Sequence, residues 1–168
     1  MKRAAILVSA FAVVLSMATS AQAQFAGKWT MVVDPAAAPP AAPGGGGGGR
    51  GGGRGGGGPV SGMEVTIAQD ATSLTINKMA GGQAPAPVTL KYTLDGKDSK
   101  NTVAGRGGEV VQTSQAAMAA GVLTITTTQD QGRGPQTTKQ TLKIEGGNLV
   151  VENFGADGTS MAKVTYKK

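Results

Sequence analysis

Hydrophobic and polar residues alternate with a period of two along most of this chain, and a helical period of 3.6 is absent. Lys28 to Asp34 predicts a first strand with Trp29, Met31 and Val33 on one face. Met63, Val65 and Ile67 alternate with Glu64, Thr66 and Ala68. After a break at Asp70-Ala71, Leu74 and Ile76 keep the same spacing. Val88, Leu90, Tyr92 and Leu94 alternate with Thr89, Lys91 and Thr93, the cleanest amphipathic strand of the chain, and Asp95-Gly96 then signals a turn. Glu109 to Ala116 is a weaker strand. In Val122 to Gln129, Leu123, Ile125 and Thr127 share a face. Thr137 to Glu145 places Leu142 and Ile144 together, Gly146-Gly147 turns into Asn148 to Asn153, and Asp157-Gly158 turns into Met161 to Tyr166. Ser114 to Ala120 is alanine-rich but has no apolar stripe and ends at Gly121, so a strand or irregular connection is expected there.

Eight or nine short strands joined by turns predict an all-β fold, an antiparallel up-and-down meander closed or nearly closed into a barrel. Closure removes the sheet edges that invite aggregation. Roughly twenty inward apolar side chains, at about 1.5–3 kcal/mol each, suffice for one modest domain.

Two segments stand outside this pattern. Lys2 and Arg3 precede an apolar run from Ala4 to Ala18, and Ala21-Gln22-Ala23 forms a small-residue cleavage site. Residues 1–23 therefore read as a Sec-type signal peptide cut after Ala23, the apolar run being shorter than the roughly 20 residues that span a bilayer. The mature chain is expected to begin at residue 24, to carry no transmembrane segment, and to reside in the periplasm or outside the cell. The second segment, residues 35–59, is a Pro/Ala/Gly-rich loop with thirteen glycines between positions 44 and 58, interrupted by Arg50 and Arg54. It cannot bury apolar surface, so a disordered insertion within a single barrel domain spanning 24–168 is expected.

Composition narrows the chemistry. The chain of 168 residues has neither cysteine nor histidine. Disulfides, thiolate nucleophiles, Ser-His-Asp triads and His- or Cys-bound metals are excluded. The net charge of +6 falls to +4 once Lys2 and Arg3 are removed, too mild for a nucleic-acid binder. Two arginines without interleaved aromatics do not make a single-strand-binding tail. Five aromatics in the mature chain cannot form the girdles of an outer-membrane barrel.

Among the carboxylates, Asp95 and Asp98 belong to a turn, and Glu64, Glu109, Glu145 and Glu152 fall on polar faces. Asp95-Gly96-Lys97-Asp98 has a central lysine and no closing glutamate, unlike a calcium loop. No nucleophile–base–orienter set can be assembled, so no catalytic residue, metal or cofactor is expected.

At Gly27-Lys28-Trp29 the chain resembles the lipocalin and wider calycin group, in which a Gly-x-Trp opens the first strand and the Trp closes one barrel end. It also resembles small exported lipocalin-like bacterial proteins in three further elements: the Tyr92 to Lys97 hairpin, the Leu-x-Ile-Thr strand at Leu123 to Thr126, and the late Asp157-Gly158 turn. No arginine follows Arg133, so the late arginine that packs on the lipocalin Trp has no counterpart. The resemblance implies an exported barrel that binds a small apolar ligand in its mouth. Leu90, Tyr92, Leu123 and Ile125 would line the ligand, and Trp29 would close the barrel end. The alternative is a non-catalytic structural or interaction protein of the cell envelope, with the Gly-rich loop as a flexible tether.

Overall fold

The computed structural model describes residues 23–33, 58–79, 86–105, 108–130, 132 and 134–168. Residues 1–22 of the expected signal peptide and 35–57 of the expected loop lie outside them. Ten strands follow in order: β1 (Gly27–Met31), β2 (Glu64–Gln69), β3 (Ser73–Met79), β4 (Pro87–Thr93), β5 (Asp95–Gly105), β6 (Gly108–Ala119), β7 (Val122–Asp130), β8 (Pro135–Glu145), β9 (Asn148–Phe154) and β10 (Ser160–Lys167). They form one antiparallel sheet in the order β4-β3-β2-β1-β10-β9-β8-β7-β6-β5. The first strand pairs with the last, Met31 opposite Tyr166, and the two ends of the sheet, β4 and β5, come side by side. The fold is an all-β, nearly closed ten-stranded meander barrel.

Nine of the strands are those the alternation predicts, including β6 across the alanine-rich Ser114 to Ala120 stretch. The tenth, β5, corrects the expected count of eight or nine. Its inward positions are Ser99, Asn101 and Val103, so it offers almost no apolar alternation to read. The first strand is also shorter than expected. Val32 donates one more bond to the Thr165 carbonyl, at 2.8 Å, and Val33 is 59% exposed where the chain leaves the sheet. Met63 precedes β2 and is likewise exposed.

Turns carry the chemistry their sequences announce. Gly146 and Gly147 both have positive φ, +56° and +80°, as a two-residue hairpin requires. Asp157 accepts the Thr159 N–H at 3.0 Å, and Asp95 accepts the Lys97 N–H at 3.1 Å. The core lies inside the barrel: Phe25, Trp29, Ile67, Leu74, Ile76 and Leu149 are among its fully buried members.

Candidate functional site

The strand directions give the barrel two distinct ends. The lower end gathers the start of β1, the Ala120-Gly121 and Gly146-Gly147 turns, and Lys168. The upper end gathers the end of β1, the start of β2 and the end of β3.

Trp29 is buried toward the lower end. Its Nε1–H donates to the Phe25 carbonyl at 2.8 Å, both rings are buried, and Gln69 Oε1 accepts the Phe25 N–H at 3.0 Å. Lys168 Nζ stands 4.9 Å from the centre of the Trp29 ring, within cation–π reach.

Leu90 and Tyr92 on β4 and Leu123 and Ile125 on β7 all point inward and belong to one buried cluster with Trp29. Tyr92 carries the one buried hydroxyl without a hydrogen-bond partner among the described residues, and Gln69 Nε2 is likewise unpartnered. Both residues flank Leu74 in a single cross-strand row, since Gln69 opposes Leu74 on β3 and Leu74 opposes Tyr92 on β4. Burial pushes the Tyr92 phenol well above its ordinary pKa, so it is a neutral donor at any physiological pH. Leaving such a donor unmet costs about 1–3 kcal/mol.

The upper end is crossed by a strap, Gly58–Gly62, whose Val60 is buried in the core. Gln140, 1% exposed, accepts the Val60 N–H on Oε1 at 2.8 Å and donates from Nε2 to the Val60 carbonyl at 2.9 Å. The same Nε2 donates to Asn153 Oδ1 at 2.7 Å. Lys78 Nζ donates to the Gly58 carbonyl at 2.8 Å and to Ser61 Oγ at 2.9 Å. Burial lowers the Lys78 amine to about 8, and among the described residues no carboxylate pairs with it. Tyr166 Oη donates to the Gly62 carbonyl at 3.2 Å. On the outer face of β2, β3 and β4 a shallow groove of about 200 Å³ is lined by the exposed Glu64, Thr66, Asn77, Met79 and Thr89.

Lys78 and Gln140 were not singled out from the sequence, although a signal existed. Lys78 continues the Leu74–Ile76 alternation and Gln140 precedes Leu142–Ile144 at the same spacing, so both occupy inward positions that should be apolar.

The carboxylates are dispersed. Glu64 pairs with Lys28 at 2.9 Å, Glu145 with Lys143 at 2.6 Å, and Glu152 accepts the Ser160 hydroxyl at 2.6 Å. Asp95 pairs with Lys97 at 2.7 Å, Asp98 accepts from Gln115 Nε2 at 2.9 Å, and Glu109 is exposed. Among the described residues no three acidic side chains gather into a metal site, and no helix is long and apolar enough to cross a membrane.

No protein-family model matches the chain, and no curated protein matches it. Among solved structures it is similar to a mutant of the fluorescent protein UnaG, at 20% sequence identity and a TM-score of 0.47, over 62% of this chain and 70% of that one.

Proposed function

We propose that this chain is an exported, non-catalytic binding barrel that takes a small apolar ligand into its interior. The observation that carries the reading is Tyr92: a neutral hydroxyl, on a residue 2% exposed, with no acceptor among the described residues. A ligand bearing one carbonyl or ether oxygen satisfies it, while Leu90, Leu123 and Ile125 offer an apolar wall. Ligand sites in barrels combine such a wall with one or two placed polar groups. Export is supported by the charged, apolar and small-residue succession of residues 1–23. The dispersed carboxylates support a role without catalysis.

A second reading, a solid barrel serving as a structural or interaction protein of the cell envelope, is favoured by one observation. The interior side chains, from Phe25 and Trp29 to Leu142 and Tyr166, pack against one another as one buried cluster.

The two readings separate in a titration of apolar ligands against Trp29 fluorescence. The binding barrel shows saturable quenching, with affinity lowered about tenfold in Tyr92→Phe through loss of one hydrogen bond. Equal affinity in Y92F, or no saturable ligand in a panel of fatty, isoprenoid and polycyclic compounds, contradicts it.

A further inference from the structure

Among the described residues, every polar contact at the strap but one is made to main-chain atoms. Gln140 reads both the N–H and the carbonyl of Val60, Lys78 reads the Gly58 carbonyl, and Tyr166 reads the Gly62 carbonyl. Ser61 Oγ, which accepts from Lys78, is the exception. A carboxamide that satisfies both polar groups of one peptide unit acts as a substitute strand edge, and recognition through the main chain is how proteins hold extended peptides. Two side pockets complete the arrangement. One takes Val60, 2% exposed. The other fits glycine closely, because a Cβ on Gly58 would lie 2.6 Å from Gln140 Nε2 and 3.0 Å from Asn153 Oδ1 and would displace the carboxamide that holds Val60.

The receiving groups are costly to bury without an occupant. Gln140 is fully buried, and Lys78 places a desolvated amine at the same end with no carboxylate beside it among the described residues. Such groups are retained where something polar meets them. In this structure the chain itself meets them.

We propose that Gln140, Lys78 and Tyr166 form a peptide-binding site at the upper mouth of the barrel, filled in cis by Gly58–Gly62 and open to an extended peptide with a small β-branched residue following Gly-Pro. The inference rests on the reading of the barrel as a binding module, and it names the ligand class of the upper mouth as peptidic. The strap competes as a tethered ligand, whose effective concentration of order millimolar masks the site from weaker peptides. A peptide in trans therefore binds only when the strap is weakened.

The test uses the full chain and the probe N-acetyl-Gly-Pro-Val-Ser-Gly-amide. Val60→Asp puts a carboxylate where an apolar side chain is buried, which releases the strap. V60D is expected to bind the probe at least tenfold more tightly than the unaltered protein, by calorimetry, and the double variant V60D/Gln140→Leu is expected to lose that gain. Absence of the gain in V60D, or its survival in the double variant, overturns the site. Should V60D fail to fold, amide exchange on the unaltered chain decides: the Val60 N–H is expected to exchange at least tenfold faster than those of Ile125 and Leu142, since strap opening precedes barrel opening. Equal rates overturn the proposal. Probe binding that depends on Gln140, with no apolar ligand found for any form, upholds this site while overturning the interior-ligand reading that depends on Tyr92.

Discussion

The Asn101 carboxamide accepts the Lys91 N–H at 2.8 Å and donates to the Lys91 carbonyl at 3.0 Å, so a side chain on β5 does the work of a ladder partner for β4. Ser99 Oγ extends the arrangement by accepting the Thr93 N–H at 3.0 Å. These contacts bridge the two strands that end the sheet, where no backbone ladder joins them. The edge groups of Lys91 and the Thr93 N–H on β4 are thereby met inside the molecule, which shortens the template for edge-to-edge pairing.

Asn101→Ala is expected to lower stability by about 1 kcal/mol, because it removes two hydrogen bonds and leaves the Lys91 groups unpaired in a half-buried seam. Urea denaturation gives the magnitude, and amide exchange at Lys91 and Thr93 locates it. Unchanged exchange at both positions contradicts the role given to Asn101.

Lys78 and Tyr92 shape stability at alkaline pH with opposite signs. Burial lowers Lys78 from 10.5 to about 8, so between those values the unfolded chain holds a proton that the folded chain has released. Stability therefore rises with pH across that window, by on the order of 2 kcal/mol. Burial raises the Tyr92 phenol above its ordinary 10.0, so above that pH the unfolded chain ionises first and stability falls. Lys78→Met is expected to abolish the rise and Tyr92→Phe to soften the fall, measured by denaturation midpoints from pH 7 to 11. A rise that persists in K78M contradicts the placement of Lys78.

The β6–β7 turn is built on Ala120 at φ +49° followed by Gly121 at φ +78°. Alanine is strained in this left-handed region, whereas Asn-Gly is the favoured pair for such a hairpin. Ala120→Asn is expected to stabilise the barrel by up to about 1 kcal/mol, read as a higher melting temperature. A lower one contradicts the turn assignment.

Trp29 is the only tryptophan and is 1% exposed, so it reports the lower end alone. Trp29→Phe removes the bond to the Phe25 carbonyl and part of the buried area, at a cost of about 1–3 kcal/mol. In the unaltered chain its emission is expected to be blue-shifted and resistant to quenching by iodide. Free quenching contradicts the burial of Trp29.

Period-two alternation was enough to read nine strands and the inward face of Leu90, Tyr92, Leu123 and Ile125, because each of those strands sets apolar residues against water on the other side. β5 escaped because its inward residues are polar and act through hydrogen bonds to β4, a relationship created only when the sheet closes. Gln140 and Lys78 escaped for a related reason. Their partners lie 80 and 20 residues away, at Val60 and Gly58, and spacing along the chain does not reveal such meetings. The place of Lys168 over Trp29 was equally hidden, because it depends on β10 returning beside β1.

The central claim, that the barrel interior receives a small ligand through Tyr92, is tested most directly by native mass spectrometry of the protein purified from its own cells. The expected result is an adduct of one discrete small-molecule mass, released on denaturation and depleted in Tyr92→Phe prepared the same way. A bare protein mass in both preparations contradicts the claim and leaves a solid barrel in its place.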